Sequence, residues 1–195
     1  QDLMINAPAI FYLNLAGMGP TMLVIIALIT GRILFKDIEQ KTGNWLFSLP
    51  IGKRPFFLGR FWAAYLINGV IALGYVLGML LLPVLGLDDA NRYGPAPLGP
   101  LLHGYVVLVL PNLFLLVSLI FTLVVWFRNL VSGYFATFFM TLLFLLMLSV
   151  AESQEETTIY ELLDPFGFVG TQAIILEMTN AAKNTTYLPI EGPLL

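Results

Sequence analysis

Four long apolar segments constrain the fold of this chain more than any other feature. They cover roughly residues 9–35, 57–83, 101–127 and 132–150. A helix needs about 20 apolar residues to cross a hydrocarbon core of ~30 Å, and each segment meets or approaches that length. Strands of membrane barrels are about ten residues long and alternate in polarity, whereas these segments are apolar on every side. The sequence predicts an all-α, polytopic helical membrane protein, with about four transmembrane helices in one domain over 1–195.

The overall composition agrees with a chain dissolved in lipid. Hydrophobic residues make up 58% of the sequence and charged residues 11%, whereas soluble domains carry about 25% charged residues. The net charge of −3 argues against nucleic acid as a partner, because such binding needs clustered cations. The sequence contains no cysteine, which excludes disulfides and thiolate metal sites.

One loop carries most of the cationic residues. Segment 31–60 holds six of the nine Lys and Arg residues, namely Arg32, Lys36, Lys41, Lys53, Arg54 and Arg60. Short loops with this excess lie on the cytoplasmic side. The rule places loop 36–56 and Arg128 inside, and it places the N-terminus, 86–100 and the tail 151–195 outside. We expect a multi-pass protein of the inner (plasma) membrane with an extracytoplasmic N-terminus.

The first apolar segment is the least regular of the four. Gly17, Gly19 and Pro20 interrupt it. Proline removes a helix hydrogen bond and clashes with the preceding turn. We therefore expect a kink or a break into two helices near Pro20, with the continuous span beginning nearer Thr21.

Small and amide residues inside the spans predict helix packing. Gly74 and Gly78 form a G-x-x-x-G spacing that lets helix backbones approach closely in lipid, and we favour packing within this chain over a dimer contact. Asn14, Asn68 and Asn112 are the intramembrane amides. Asparagine at such depth usually bonds between helices, with a strength of about 0.6 to 2 kcal/mol. We interpret these amides as structural, and the absence of mid-span charge disfavours an ion or proton path.

The sequence offers no complete catalytic site. His103 is the only histidine, so a two-histidine zinc site such as H-E-x-x-H is excluded, and His103 is interpreted as an interfacial residue. The phosphate loop G-x-x-x-x-G-K-[ST] is also absent. Ser132-Gly133 faintly resembles an intramembrane serine nucleophile, but a packing serine at a helix start is favoured. We expect no enzyme activity and no cofactor in this chain, with ATP held by a partner.

Local patterns in the basic loop predict helix at the membrane surface. Residues 32–41 mix charged and apolar residues at helical spacing, so the first helix is expected to extend past the membrane. Asn44 can cap a second short helix, which Pro50 stops. Two interpretations stay open for this helix. It is either an interfacial anchor that dips Trp45 and Phe47 into headgroups, or a knob that fits a groove on a soluble partner.

The same loop carries a longer pattern. It consists of Asp37, Glu39, Gly43, Leu46, Ser48-Leu49-Pro50-Ile51, Lys53-Arg54 and Leu58-Gly59-Arg60. The pattern resembles the one that follows the second span of ABC-2 type transporter permeases, in which this loop is the coupling element that contacts the ATP-binding subunit. The residues that match the family pattern specifically are Glu39, Gly43, Ser48, Pro50, Arg54 and Arg60.

The resemblance implies a function and a docking site. The chain would be the transmembrane permease part of an ATP-driven transporter, in which a separate ABC ATPase subunit drives substrate movement by alternating access. Glu39 and Arg54 would pair across the interface while apolar side chains fill a groove on the ATPase. The implied docking residues are Glu39, Gly43, Trp45, Phe47, Leu49, Pro50 and Arg54. The family also implies a second permease half, and further spans before and after this chain, which we therefore expect to be a fragment.

A second, narrower resemblance lies in the acidic tail. The segment 162–167 reads L-L-D-P-F-G and is similar to a subset of these permeases fused to an M1-type aminopeptidase. It implies an alternative function, the membrane anchor of a larger zinc aminopeptidase whose catalytic domain lies outside this chain. Asp164-Pro165 and Gly167 are also typical of residues that simply terminate a surface helix. A purely structural membrane scaffold stays open as a third interpretation.

Overall fold

The computed structural model describes residues 3–39, 52–82, 85, 93–94, 98–151 and 164–188. Their helices are α1 (Pro8–Glu39), α2 (Lys53–Leu81), α3 (Leu98–Gly104), a π-helix (Tyr105–Val109), α4 (Leu110–Phe127), α5 (Leu130–Ala151), α6 (Phe168–Glu177) and α7 (Asn180–Thr185). Within these residues, the stretches long and apolar enough to cross a membrane are Pro8–Lys36, Arg54–Leu81, Leu98–Phe127 and Leu130–Ser149. The predicted all-α fold with four membrane-spanning helices is confirmed. Helix α6, with ten residues, is too short to span.

Helix α1 lies at the centre of the bundle. It packs against α2, α4 and α5, against α3 and the π-helix, and against the tail helices α6 and α7. Apolar residues recur at three- and four-residue spacing along α1 and form its buried surface, which includes Leu15, Met18, Met22, Leu23, Ile26, Ala27 and Leu34. Because α1 is apolar on nearly every side, it can bury several faces at once. A displacement of α1 would therefore change its packing against all the other described spans.

Of the kink or break predicted near Pro20, the break is wrong, because α1 runs without interruption from Pro8 to Glu39; the kink stays a prediction. Pro20 lacks the N–H that would bond the carbonyl of Ala16. Neighbouring helices hold such a helix together in a membrane protein, and here Ala16, Met18 and Met22 are all buried around the proline. The continuous span thus begins well before Thr21.

A second proline produces a different irregularity. Pro111 follows the π-helix, in which the N–H of Leu110 donates to the carbonyl of Tyr105, a five-residue step. A proline ring would clash with the carbonyl four residues earlier, that of Val107, and a wider turn relieves this clash. Helix α3 begins at Leu98, inside the segment 86–100 that the sequence predicts as a loop between spans.

The cationic residues lie together at one end of the bundle, where α1 and α4 end and α2 and α5 begin. Gly31, near the end of α1, lies against Leu130 at the start of α5. The ring of Phe61 in α2 packs edge-on against Phe121 of α4, with 5.5 Å between centroids. We call this end of the bundle the basic end; among the described residues it carries Arg32, Lys36, Lys53, Arg54, Arg60 and Arg128. The side of the membrane that it faces stays a prediction.

Candidate functional site

The predicted docking residues fall on both flanks of the basic loop. Glu39 is the last residue of α1, and Arg54 is the second residue of α2. The continuation of α1 to Glu39 agrees with the helix predicted from the spacing of residues 32–41. The other docking residues lie outside the described part of the chain: Gly43, Trp45, Phe47, Leu49 and Pro50, together with Ser48. Their role, and the pairing of Glu39 with Arg54, stay predictions.

Arg54 lies at the mouth of an apolar groove between α2 and α4. The groove has a volume of about 580 Å³ and is lined mainly by Arg54, Phe57, Phe61, Ser118, Phe121 and Thr122. On α2 the lining residues are three and four positions apart, so they share one helix face. Phe61 is held edge-on between two aromatic rings of α4, at 5.4 Å from Phe114 and 5.5 Å from Phe121. Arg54 itself is exposed.

Arg60, the other described cation of the family pattern, is placed differently. Its guanidinium carbon lies 5.4 Å from the centroid of the Phe56 ring, a distance typical of a cation–π contact. Since residues 56 and 60 are one helical turn apart, this contact lies along the surface of α2. The structure therefore places Arg54 on the groove and gives Arg60 an aromatic partner within its own helix.

The tail segment that resembles the fused permeases folds back onto the spans. The carboxylate of Asp164 accepts hydrogen bonds from the backbone N–H of Phe166 at 2.9 Å and of Val169 at 2.6 Å. These bonds start α6, and Gly167 between them has a φ of 70°, a left-handed conformation that favours glycine. Asp164 is 9% exposed. The interpretation of these residues as terminators of a surface helix stays a prediction, because the preceding residues 152–163 lie outside the described part of the chain.

Phe166 anchors the tail segment in the bundle. Its side chain is completely buried and packs against Gly19 of α1 and edge-on against Phe144 of α5 at 5.2 Å. Its carbonyl accepts a hydrogen bond of 2.6 Å from Asn112 of α4. One residue thus joins the tail to three spans. The sequence signal for this contact is the G-x-G spacing of α1, which makes a notch for an aromatic ring. The prediction from that spacing is helix breaking only.

The intramembrane asparagines do not all behave as predicted. Asn112 of α4 bonds to another segment, but its partner Phe166 lies in the turn before α6 and not in a second helix. Asn14 is exposed and donates to the carbonyl of Ile10 in its own helix at 2.8 Å, so its predicted interhelical role is wrong. Asn68 is fully buried, but its amide nitrogen donates to Ala64 within α2 at 2.9 Å. Its Oδ1 has no partner among the described residues, and it forms no interhelical bond there. A carbonyl one turn earlier has a second lone pair, and a side chain bonds to it locally at less entropic cost than it bonds across helices.

The glycines of the G-x-x-x-G spacing are also placed against expectation. A side chain added at Gly74 or Gly78 would meet no described atom within 4 Å. The predicted packing of this face within the chain is therefore wrong for the described residues. The close approach of α2 to its neighbour occurs at Gly69 instead, whose carbonyl accepts a 2.8 Å hydrogen bond from the hydroxyl of Tyr105.

The tail makes a second contact with the bundle, at the end opposite the basic end. The hydroxyl of Tyr12 and Nδ1 of His103 are 2.8 Å apart, and the imidazole ring packs edge-on against Tyr187 at 5.5 Å. The backbone N–H of Met4 donates to the side chain of Asn184 at 3.1 Å. His103 therefore joins the start of α1 and the end of α3 to the tail. These contacts give His103 a structural role, and its interpretation as an interfacial residue stays a prediction.

Ser132 also has a structural environment. Its hydroxyl donates to the carbonyl of Asn129 at 2.6 Å and to that of Leu123 at 3.2 Å, which closes the turn between α4 and α5. This arrangement is the packing serine predicted at the helix start. Among the described residues, no group of three or more His, Cys, Asp or Glu side chains is arranged to hold a metal ion.

Comparison of the chain with protein-family models, with curated proteins and with solved structures finds no match. What the chain does must therefore be inferred from its own residues and geometry.

Proposed function

We propose that this chain is the transmembrane permease part of an ABC-2 type transporter, driven by a separate ABC ATPase. The central position of α1 is the observation that supports the proposal best. This helix leads into the loop that carries the docking pattern, and it packs against every other described span. A displacement of the loop can therefore be transmitted to the whole bundle through one continuous helix.

The proposed coupling uses residues on both sides of the loop. Trp45, Phe47 and Leu49 fill a groove on the ATPase, because buried apolar and aromatic anchors usually dominate interface energy. Glu39 and Arg54 pair with the partner at the rim and fix its orientation. Closure of the ATPase around ATP then displaces the end of α1, and the lipid-embedded helices move with it, in concert with a second permease half.

The test is co-purification of an ABC ATPase with the intact permease from its native membrane. The variant carrying Trp45→Ala and Leu49→Glu is expected to lose the ATPase and the stimulation of ATP hydrolysis. A matched control is Trp126→Ala, because Trp126 lies at the basic end of α4 and is 78% exposed but is not part of the loop. Association and stimulated hydrolysis that survive the double substitution would show that the loop does not couple.

An alternative function is the membrane anchor of a larger M1-type zinc aminopeptidase. The burial of Phe166 against three spans favours it, because this contact would hold whatever follows the tail in a fixed place. The alternative requires an H-E-x-x-H domain downstream of Leu195 in the parent gene. A parent reading frame that ends within one further span removes this alternative and leaves the permease.

A further inference from the structure

The groove between α2 and α4 combines three chemical features. The aromatic rings of Phe57, Phe61 and Phe121 line its interior. Its wall carries the hydroxyl-bearing residues Ser118 and Thr122, and its mouth carries Arg54. Its volume of about 580 Å³ lies within the ~300–1,000 Å³ of typical ligand sites, which are also mostly apolar with a few polar groups. Such a groove suits a ligand with a long apolar part and one polar head.

The charge at the mouth defines the head of that ligand. Arg54 is the first residue of the apolar span Arg54–Leu81, and a cation at the end of a membrane helix is expected to place its charge among the lipid headgroups. Arginine binds phosphate through two parallel hydrogen bonds and is always charged. Helix α2 also begins at this point with Gly52 as its N-cap, which offers no side-chain hydrogen bond. The positive end of the helix dipole therefore adds to the attraction of an anion.

We propose that this groove is a binding site for one anionic glycerophospholipid. The phosphate binds Arg54 at the mouth, and an acyl chain lies along Phe57, Phe61 and Phe121. Basic pockets between membrane helices bind anionic headgroups in this way. The proposal does not depend on the coupling role of the loop, since lipid binding requires no ATPase.

Another exposed surface of the bundle lacks this combination. Phe135 and Phe138 of α5 are 70% and 66% exposed, but the sequence of α5 contains no Lys or Arg. Lipid chains can cover that face without regard to their headgroups. Selectivity for a negative headgroup is therefore expected at Arg54 and not along α5.

The experiment is native mass spectrometry of the full chain released from detergent, with equal amounts of phosphatidylglycerol and phosphatidylcholine added. Wild-type protein is expected to retain phosphatidylglycerol preferentially. Arg54→Gln is expected to lower the ratio of bound phosphatidylglycerol to phosphatidylcholine by about five- to tenfold, the effect of one headgroup cation or one charge-assisted hydrogen bond. Arg128→Gln is the matched control, because Arg128 is exposed at the same end but does not line the groove.

A second variant tests the groove itself. Thr122→Trp fills the space between α2 and α4 and is expected to lower the retention of both lipids, whereas Val131→Trp, at an exposed position of α5, leaves it unchanged. Melting temperatures in phosphatidylcholine verify that every variant is folded. An unchanged lipid ratio in Arg54→Gln, or an equal loss in Arg128→Gln, would overturn the site. Equal thermal stabilisation of the protein by glycerol phosphate would overturn the choice of a lipid as the occupant.

Discussion

The ring of Phe166 occupies the space that a side chain at residue 19 would need. A methyl group on Gly19 would overlap the ring edge and lie 2.9 Å from its Cγ. Helix α1 and the tail are 147 positions apart in the sequence, by the difference of these two residue numbers, yet they pack here without a gap. The notch in α1 and the aromatic residue of the tail therefore form one structural unit.

This unit predicts that Gly19 tolerates no side chain. Gly19→Ala is expected to destabilise the protein by about 1–3 kcal/mol, because overpacking forces a buried ring to move. Gly74→Ala is the matched control: it also replaces a helical glycine, in open surroundings, and the better helix propensity of alanine makes a neutral or stabilising effect the expected result. Unfolding by sodium dodecyl sulfate in mixed micelles measures both variants. Equal effects would contradict the packing of Phe166 against α1.

A second prediction concerns the start of the tail helix α6. Asp164→Ala removes the acceptor of two backbone N–H groups, those of Phe166 and Val169. The loss is expected to cost about 1–2 kcal/mol of local stability, as for other helix caps. Hydrogen exchange of these amides should accelerate accordingly, while Glu177→Ala, at the exposed end of the same helix, should leave them protected. Unchanged exchange in Asp164→Ala would show that the carboxylate does not cap.

The sequence predicts the spans well, because each span is decided by local composition. An apolar run of sufficient length must be a helix in lipid, whatever its neighbours are. For the same reason the turn at Arg128 and the helix start near Ser132 follow from the short polar interruption. The extension of α1 to Glu39 likewise follows from residue spacing within one helix.

The contacts between segments could not be predicted in the same way. Pro20 interrupts a helix in isolation, but the helix survives because buried neighbours surround it. The G-x-x-x-G spacing of Gly74 and Gly78 permits close packing without specifying a partner. The packing of Phe166 against α1 joins two segments that are far apart in the sequence. No local pattern in either segment predicts this contact. The resemblance of the basic loop to a family pattern is carried within one short stretch, but the docking that it implies stays a prediction.

The third prediction compares two asparagines, one that bonds between segments and one that bonds within its own helix. Asn112→Leu removes the 2.6 Å hydrogen bond to the carbonyl of Phe166 and is expected to cost about 0.6–2 kcal/mol, the range of polar contacts between membrane helices. Asn14→Leu removes only a bond within α1 from an exposed position and is expected to be neutral or stabilising in lipid. The same detergent unfolding assay distinguishes them. A larger loss for Asn14→Leu would contradict the assignment of Asn112 as the amide that joins α4 to the tail.

The last prediction concerns the link between the π-helix and α2. The hydroxyl of Tyr105 donates to the carbonyl of Gly69 at 2.8 Å, and Tyr105 is buried. Tyr105→Phe keeps the ring and removes only this hydrogen bond, so the free energy of unfolding is expected to fall by about 0.5–1.5 kcal/mol. Tyr75→Phe is the matched control, because Tyr75 also lies in the bundle, on α2, but is 40% exposed. Detergent unfolding should leave this control unchanged, and an equal loss in both variants would show that the Tyr105 hydroxyl does not hold the π-helix to α2.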